Sequence, residues 1–112
     1  MSAHEKVCIV TGGGSGIGRG ICRKFASQGV NVVIADINLT AAEETARIIN
    51  EESSVQTLAV ETDVTSLDSI SRMVAAAIHA FSHIDILVNN AGTDIKGNIA
   101  GYDPETWDKL MA

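Results

Sequence analysis

Glycines are concentrated near the start of the chain, where residues 11–18 read TGGGSGIG. This segment follows a short apolar run and precedes a stretch of helical period, so it occupies a strand-to-helix turn. Such a turn keeps Cβ atoms away from a bound anion and aims free N–H groups and the positive end of the helix dipole at it. We therefore expect a diphosphate to be held by Gly12, Gly14, Ser15, Gly16, Ile17 and Gly18.

Two further features narrow the expected ligand to a dinucleotide. No Lys followed by Ser or Thr comes after the glycines, which disfavours a nucleoside-triphosphate P-loop. Asp36 ends the next apolar run, twenty positions after Gly16, where a carboxylate can accept both hydroxyls of an adenine ribose. The same charge would repel a 2′-phosphate, and neither Ser15 nor Ile37 is basic, so we predict NAD in preference to NADP. The alternatives are a flexible linker for the glycines and a turn-capping role for Asp36.

The elements that must position these residues alternate between short β-branched runs and longer stretches of helical period, the pattern of βαβ units. The apolar runs predict strands at residues 6–11, 30–35, 55–60 and 84–88. Right-handed crossovers between them give a parallel sheet of order 3-2-1-4. The predicted fold class is therefore α/β, a Rossmann-like doubly wound parallel sheet, with residues 1–112 forming one incomplete domain.

Helix-start and helix-stop signals bound the intervening segments. The first predicted helix runs from the glycine turn to Gly29, which occupies a C-cap position. The second begins at the capping box of residues 40–43, and the third begins at residues 65–68. After a loop at residues 89–101, Asp103 and Pro104 are predicted to start a fourth helix.

Four motifs resemble those of the classical short-chain dehydrogenases/reductases, and each follows a predicted strand. They are the glycine turn, Asp36, the pair Asp63-Val64, and the sequence NNAG at residues 89–92. The resemblance covers the whole chain and implies an NAD-dependent oxidoreductase that interconverts an alcohol with a ketone or aldehyde. Carboxyl ends of parallel strands are where ligands bind in open α/β sheets, so the four motifs are expected to share one site.

The resemblance also implies roles for the residues after the third and fourth strands. Asp63 would accept a hydrogen bond from the adenine amino group, while Val64 packs on the adenine ring. Asn90 would tie its strand end to the glycine turn and leave Ala91 and Gly92 close to the adenosine ribose. The residues themselves leave two alternatives open: Asp63 as a cap at a helix entry, and the two asparagines as turn formers.

No residue of this chain is predicted to be catalytic. The resemblance implies a Tyr-x-x-x-Lys pair, a preceding Ser and a helical Asn for exchanging a proton with the substrate oxygen. Tyr102 is the only tyrosine, and Thr106 stands four positions after it. We therefore interpret the chain as a truncated front half of the family's fold and expect it to be inactive alone. Strand 84–88 would then be an unpaired apolar edge of the sheet. We therefore expect the isolated chain to be marginally stable or prone to aggregation.

Composition argues against several other classes of function. The chain has 8 basic and 14 acidic residues, a net charge of −6, which argues against nucleic-acid binding. It contains no long apolar run or signal-type segment, so we expect no membrane span and a cytoplasmic location. Cys8 and Cys22 lie at apolar positions and predict buried thiols in a reducing compartment. His79 and His83 have no further ligands at suitable spacing, so no metal site is expected.

Two functions remain open from the sequence. In the first, the chain is part of an NAD-dependent dehydrogenase that acts, when complete, on a small-molecule alcohol or carbonyl substrate. By resemblance, the complete protein would be a homo-oligomer. In the second, the chain is a non-enzymatic dinucleotide-binding or subunit-pairing module made as a truncated product. A Ser and a Tyr-x-x-x-Lys encoded beyond residue 112 would favour the first, and a genuine stop codon would favour the second.

Overall fold

The computed structural model describes residues 5–91. Strands and helices alternate in the order β1 (Val7–Thr11), α1 (Gly16–Ser27), β2 (Asn31–Asp36), α2 (Leu39–Glu52), β3 (Thr57–Glu61), α3 (Leu67–Phe81) and β4 (Ile86–Asn89). The four strands form one sheet of order β3-β2-β1-β4, and every neighbouring pair is parallel. This confirms the predicted Rossmann-like α/β fold and its strand order. The predictions for Gly92, Tyr102 and the fourth helix lie outside the described residues.

The two central strands are buried because helices cover both faces of the sheet. Side chains alternate along β1, so Cys8 and Val10 face one layer while Val7 and Ile9 face the other. The first layer is completed by α1 and α2, and the second by α3, which contributes Met73. The glycine turn between β1 and α1 is therefore attached to a close-packed core on the inner strands.

Both cysteines lie inside this core, as the sequence predicted. Cys8 and Cys22 are each 0% exposed and neither forms a disulfide. Burial raises the pKa of each thiol to about 12, because the thiolate would have to form in an apolar environment. Both therefore behave as small hydrophobic residues.

The strand β4 is shorter than the apolar run at residues 84–88 suggests, and it begins at Ile86. Asp85 lies at its entrance, where its backbone N–H donates to the Val7 carbonyl at 2.9 Å. The Asp85 carboxylate accepts from the Val7 N–H, also at 2.9 Å. A side chain thus provides one of the bonds through which this strand end is joined to β1.

The predicted start of the second helix at Thr40 is wrong. The helix α2 begins at Leu39, and its N-cap is Asn38, whose side chain accepts from the Ala41 N–H at 3.1 Å. Asn38 is held in this place because its own N–H donates to Asp36 Oδ1 at 2.9 Å. The other two helix signals are confirmed, since Gly29 has a φ of +85° just after the C-cap of α1. Ser66, within the predicted start of α3, is that helix's N-cap.

No helix among residues 5–91 is both long enough and apolar enough to span a bilayer.

Candidate functional site

The carboxyl ends of the strands open into a cleft of about 430 Å³. Seven of the predicted binding residues line it: Gly12, Ser15, Asp36, Asp63, Val64, Asn90 and Ala91. The others in the described part of the chain, Gly14, Gly16, Ile17 and Gly18, belong to the same turn or to the start of α1. Gly92 lies outside the described residues. The structure thus brings segments from four strand ends to one place.

The glycine turn can be built only with glycine at several of its positions. Gly12 and Gly16 have φ values of +67° and +56°, a left-handed conformation that L side chains rarely adopt. A Cβ on Gly18 would lie 1.9 Å from the Gly12 carbonyl oxygen. The absence of a side chain at Gly18 thus lets the start of α1 approach the turn at the end of β1.

The start of α1 is suited to receive an anion. The first N–H groups of an α-helix have no partner within the helix and need a cap, water or a ligand. The N-cap residue is Ser15, yet its side chain makes no capping hydrogen bond. Ser15 and Gly16 are exposed, and Ile17 is 77% exposed. These free N–H groups, together with the helix dipole, fit the diphosphate of a dinucleotide.

Asp36 is joined to this turn by a direct hydrogen bond. Its Oδ2 accepts from the Gly14 N–H and its Oδ1 accepts from the Asn38 N–H, both at 2.9 Å. The bond to Asn38 is the turn-capping contact that the sequence left open, while the bond to Gly14 holds the same carboxylate beside the cleft. A Cβ on Gly14 would lie 2.7 Å from Asp36 Oδ2, so the absent side chain is what allows this approach.

Asp63 has a fixed orientation at the end of β3. Its Oδ1 accepts from the Thr65 N–H at 2.9 Å and from the Thr65 hydroxyl at 2.6 Å. These bonds hold the pKa of the Asp63 carboxyl below its usual value, because they favour the charged form. The contact with Thr65 is the helix-entry arrangement that the sequence allowed as an alternative. Because Asp63 also lines the cleft, it presents an ionised acceptor there.

The end of β4 is bonded to the end of β1. Thr11 is 5% exposed, and its Oγ1 accepts from the Asn90 N–H at 2.9 Å and from the Ala91 N–H at 3.1 Å. The Asn90 side-chain amide donates to the Gly12 carbonyl at 3.3 Å. The contact between Asn90 and the glycine turn that the family resemblance implies is therefore present. It closes one wall of the cleft.

Cleft-lining residues that the sequence analysis did not assign to the site are Ile37, Thr62 and Thr65. Ile37 is 67% exposed although it is a large apolar residue. Thr62 directly follows β3, so the rule that ligands bind beyond the carboxyl ends of parallel strands could have identified it. No basic residue is among the described residues that line the cleft.

His79 and His83 are not among the residues that line the cleft. His79 is exposed. His83 is close to the other end of the strands, with Nε2 at 2.7 Å from the Glu5 carbonyl and 3.2 Å from Asp85 Oδ2. Within residues 5–91, no three His, Cys, Asp or Glu side chains are grouped as a metal ion would require.

Comparison with known proteins decides the family. Residues 6–112 match the model that describes the short chain dehydrogenases. The chain belongs to this family. An uncharacterized oxidoreductase of Staphylococcus epidermidis is 39% identical over 107 residues, which make up 96% of this chain and 45% of that protein. This short-chain dehydrogenase sequence thus spans less than half the length of the relative that it matches.

Solved structures of family members have the same fold. The L-sorbose reductase of Gluconobacter frateurii, in complex with NADPH and L-sorbose, superimposes with a TM-score of 0.77 at 34% identity. That match covers 94% of this chain and 40% of the reductase chain. A 7α-hydroxysteroid dehydrogenase in complex with NADH and 7-oxo glycochenodeoxycholic acid gives a TM-score of 0.75 at 38% identity, over 81% of this chain and 38% of that chain. The two neighbours therefore hold different nicotinamide cofactors.

Proposed function

We propose that this chain binds NAD across the carboxyl ends of its strands and forms the cofactor-binding part of an oxidoreductase. The reaction of the whole protein is the interconversion of an alcohol with a ketone or aldehyde. The nicotinamide ring supplies the chemistry, since it donates or accepts a hydride. The single observation that carries the proposal is the hydrogen bond between Asp36 and the Gly14 N–H, because it joins a ribose-binding carboxylate to a turn shaped for a diphosphate.

Each part of the cleft has its own task in this proposal. The N–H groups at the start of α1 bind the diphosphate, and the first helical turn stabilises its charge. Asp36 accepts from the two adenosine ribose hydroxyls, and Asp63 accepts from the adenine amino group. The apolar side chains of Ile37 and Val64 cover the base and exclude water from it. Asn90 keeps the wall that includes Ala91 in contact with the turn.

The preference for NAD over NADP follows from charge. The neighbours hold either NADPH or NADH, so kinship does not decide between the two cofactors. A 2′-phosphate would have to lie against the Asp36 carboxylate, and like charges brought together cost several kcal/mol unless a cation neutralises them. The described lining of the cleft offers no basic side chain for that purpose.

Turnover is proposed to need residues that this sequence does not contain. Tyr102 is not followed by a Lys four positions later, so the proton-exchanging pair of the family is not present among these 112 residues. The 112-residue chain alone is accordingly proposed to bind cofactor without oxidising an alcohol. Assembly as a homo-oligomer and a cytoplasmic location complete the proposal. They are supported by the family resemblance and, for the location, by the two free cysteines.

Calorimetric titration of the full-length protein with NAD and NADP tests the proposed preference. We expect NAD to bind at least about tenfold more tightly, a difference of about 1.4 kcal/mol. The variant Asp36→Asn, which keeps the shape but removes the charge, should lose NAD affinity and lose most of the discrimination against NADP. Glu43→Gln is the matched control, because Glu43 is an exposed carboxylate on α2 that does not line the cleft. Equal binding of both cofactors by the unaltered protein would refute the proposed role of Asp36.

A further inference from the structure

A continuous series of hydrogen bonds behind the glycine turn joins a guanidinium to the carboxylate at the cleft. Thr45 on α2 is 0% exposed, and its Oγ1 accepts from Arg19 Nε at 2.9 Å and donates to the Gly13 carbonyl at 2.9 Å. The peptide group that carries this carbonyl ends in the Gly14 N–H, which donates to Asp36 Oδ2 at 2.9 Å. The series therefore runs from Arg19 through Thr45 and one peptide group to Asp36.

Arg19 also contacts the next peptide group directly. Its Nη2 donates to the Gly14 carbonyl at 2.7 Å. The N–H of that peptide belongs to Ser15, which lines the cleft. One guanidinium thus holds the carbonyl ends of two consecutive peptides, one directly and one through Thr45. The N–H of the first peptide belongs to Gly14, which contacts Asp36, and the N–H of the second belongs to Ser15, at the expected diphosphate site.

The chemistry of this arrangement favours a positioning role. Hydrogen bonds arranged in series polarise one another, and fully satisfied buried networks hold their members rigidly. The Arg19 cation polarises the Thr45 hydroxyl, and this hydroxyl, as a donor to the Gly13 carbonyl, strengthens the N–H donor at the other end of the same peptide, which bonds to Asp36. A buried Thr hydroxyl inside a helix usually bonds to its own helix, whereas the Thr45 hydroxyl bonds to the glycine turn and to α1.

We propose that Arg19 and Thr45 are positioning residues that set the cofactor preference by holding Asp36 in place. This inference rests on the function proposed above. Rejection of a 2′-phosphate requires a carboxylate that cannot turn away from it, because a mobile side chain would relieve the repulsion. The Gly14 N–H supplies that restraint, and the Arg19–Thr45 pair fixes the peptide that carries the Gly14 N–H. Loss of the pair therefore weakens NAD binding and relieves part of the repulsion of NADP, so the preference for NAD becomes smaller.

The test is a titration of full-length Thr45→Val with NAD and with NADP. Valine keeps the shape of threonine but removes both hydrogen bonds of the hydroxyl. We expect NAD affinity to fall by about threefold to tenfold, the effect of losing one or two buried hydrogen bonds. NADP affinity should change less, so the ratio between the two cofactors shrinks. The matched control is Thr57→Val. Thr57 lies at the start of β3, the strand end remote from the cleft, and this substitution removes its hydrogen bond to Asn50.

A second variant and a second readout keep the proposal falsifiable if Thr45→Val does not fold. Arg19→Met removes both guanidinium contacts from a partly exposed position. It should also reduce the ratio of NAD affinity to NADP affinity. Arg19→Lys keeps the charge but cannot donate to Thr45 and to Gly14 in the geometry of a guanidinium. It should therefore retain more of the preference for NAD than Arg19→Met but less than the unaltered protein. In amide proton spectra, the Gly14 resonance should move upfield in Thr45→Val and Arg19→Met, because its bond to Asp36 weakens. It should stay in place in Thr57→Val.

The possible outcomes separate this inference from the function on which it rests. An unaltered protein that binds neither cofactor overturns both. An unaltered protein that prefers NAD, with Thr45→Val and Arg19→Met variants that keep the same preference, overturns the positioning role and leaves the proposed function standing. A narrowed ratio in both variants, with Thr57→Val unchanged, supports the positioning role.

Discussion

Replacing Gly18 by alanine should do far more damage than the same substitution at either of the other two glycines in α1. A Cβ at this position would lie 1.9 Å from the Gly12 carbonyl oxygen and 2.7 Å from Asn90 Nδ2. Ordinary contact begins at 3.4 Å, so the overlap with the carbonyl is about 1.5 Å. The colliding atom belongs to the backbone and cannot rotate away. The start of α1 must therefore move off the turn, and the Asn90 contact with Gly12 must break.

The expected cost is at the upper end of what overpacking causes, about 3 kcal/mol or more. This is a large share of a total domain stability of about 5–15 kcal/mol. Urea unfolding of the full-length protein measures the change, and NAD titration of the folded fraction measures the effect on the site. We expect Gly18→Ala to lose both stability and NAD affinity, because the free N–H groups at the start of α1 are displaced.

Two neighbouring glycines serve as matched controls on the same helix. A Cβ added to Gly20 would meet no atom within 4 Å, so Gly20→Ala should stabilise the protein by about 0.5–1 kcal/mol through helix propensity. Gly16 also has open space but has a φ of +56°, so Gly16→Ala should cost about 1–2 kcal/mol in backbone strain. A Gly18→Ala variant as stable as Gly20→Ala would contradict the close contact between Gly18 and the Gly12 carbonyl.

Titratable groups provide two more predictions. The pKa of Asp63 is lowered in the folded protein, so the stability it contributes is present above the ordinary aspartate pKa and is lost as the pH falls through the lowered value. Asp63→Asn should therefore lose less stability on acidification than the unaltered protein. Acid unfolding curves that run parallel for the two proteins would show that ionised Asp63 does not stabilise the fold. The pKa of about 12 for both Cys8 and Cys22 predicts that native protein does not react with iodoacetamide at about pH 8. Both thiols should react after denaturation, and rapid labelling of native protein, detected by mass spectrometry, would contradict their burial.

The strand order and the place of the cleft could be predicted because each depends on a pattern that is local in the sequence. The alternation of short apolar runs with helical periods leaves few topologies once crossovers are right-handed. The start of α2 could not be predicted in the same way. Asn38 and Thr40 are both good capping residues, two positions apart, and the choice depends on Asp36, which fixes the Asn38 N–H from the preceding strand.

The residues behind the turn escaped sequence analysis for a different reason. Thr45 occupies an interior position of α2, and nothing in the sequence shows that its hydroxyl reaches the Gly13 carbonyl, 32 residues earlier in the chain. Arg19 follows the glycines directly, but its contacts with Thr45 and Gly14 depend on how α1 and α2 pack together. Motifs identify the residues that can contact a ligand, whereas the residues that hold them in place are identified only by the fold.

The most direct test of the account is a titration of isotopically labelled protein with ADP, followed through its backbone amide resonances. Binding of the diphosphate at the start of α1 predicts that the largest shifts occur at Ser15, Gly16, Ile17 and Gly18, with a smaller change at Gly14. Shifts confined to the opposite end of the sheet, around His83, or the absence of any shift in the glycine turn, would contradict the claim that this turn binds the cofactor.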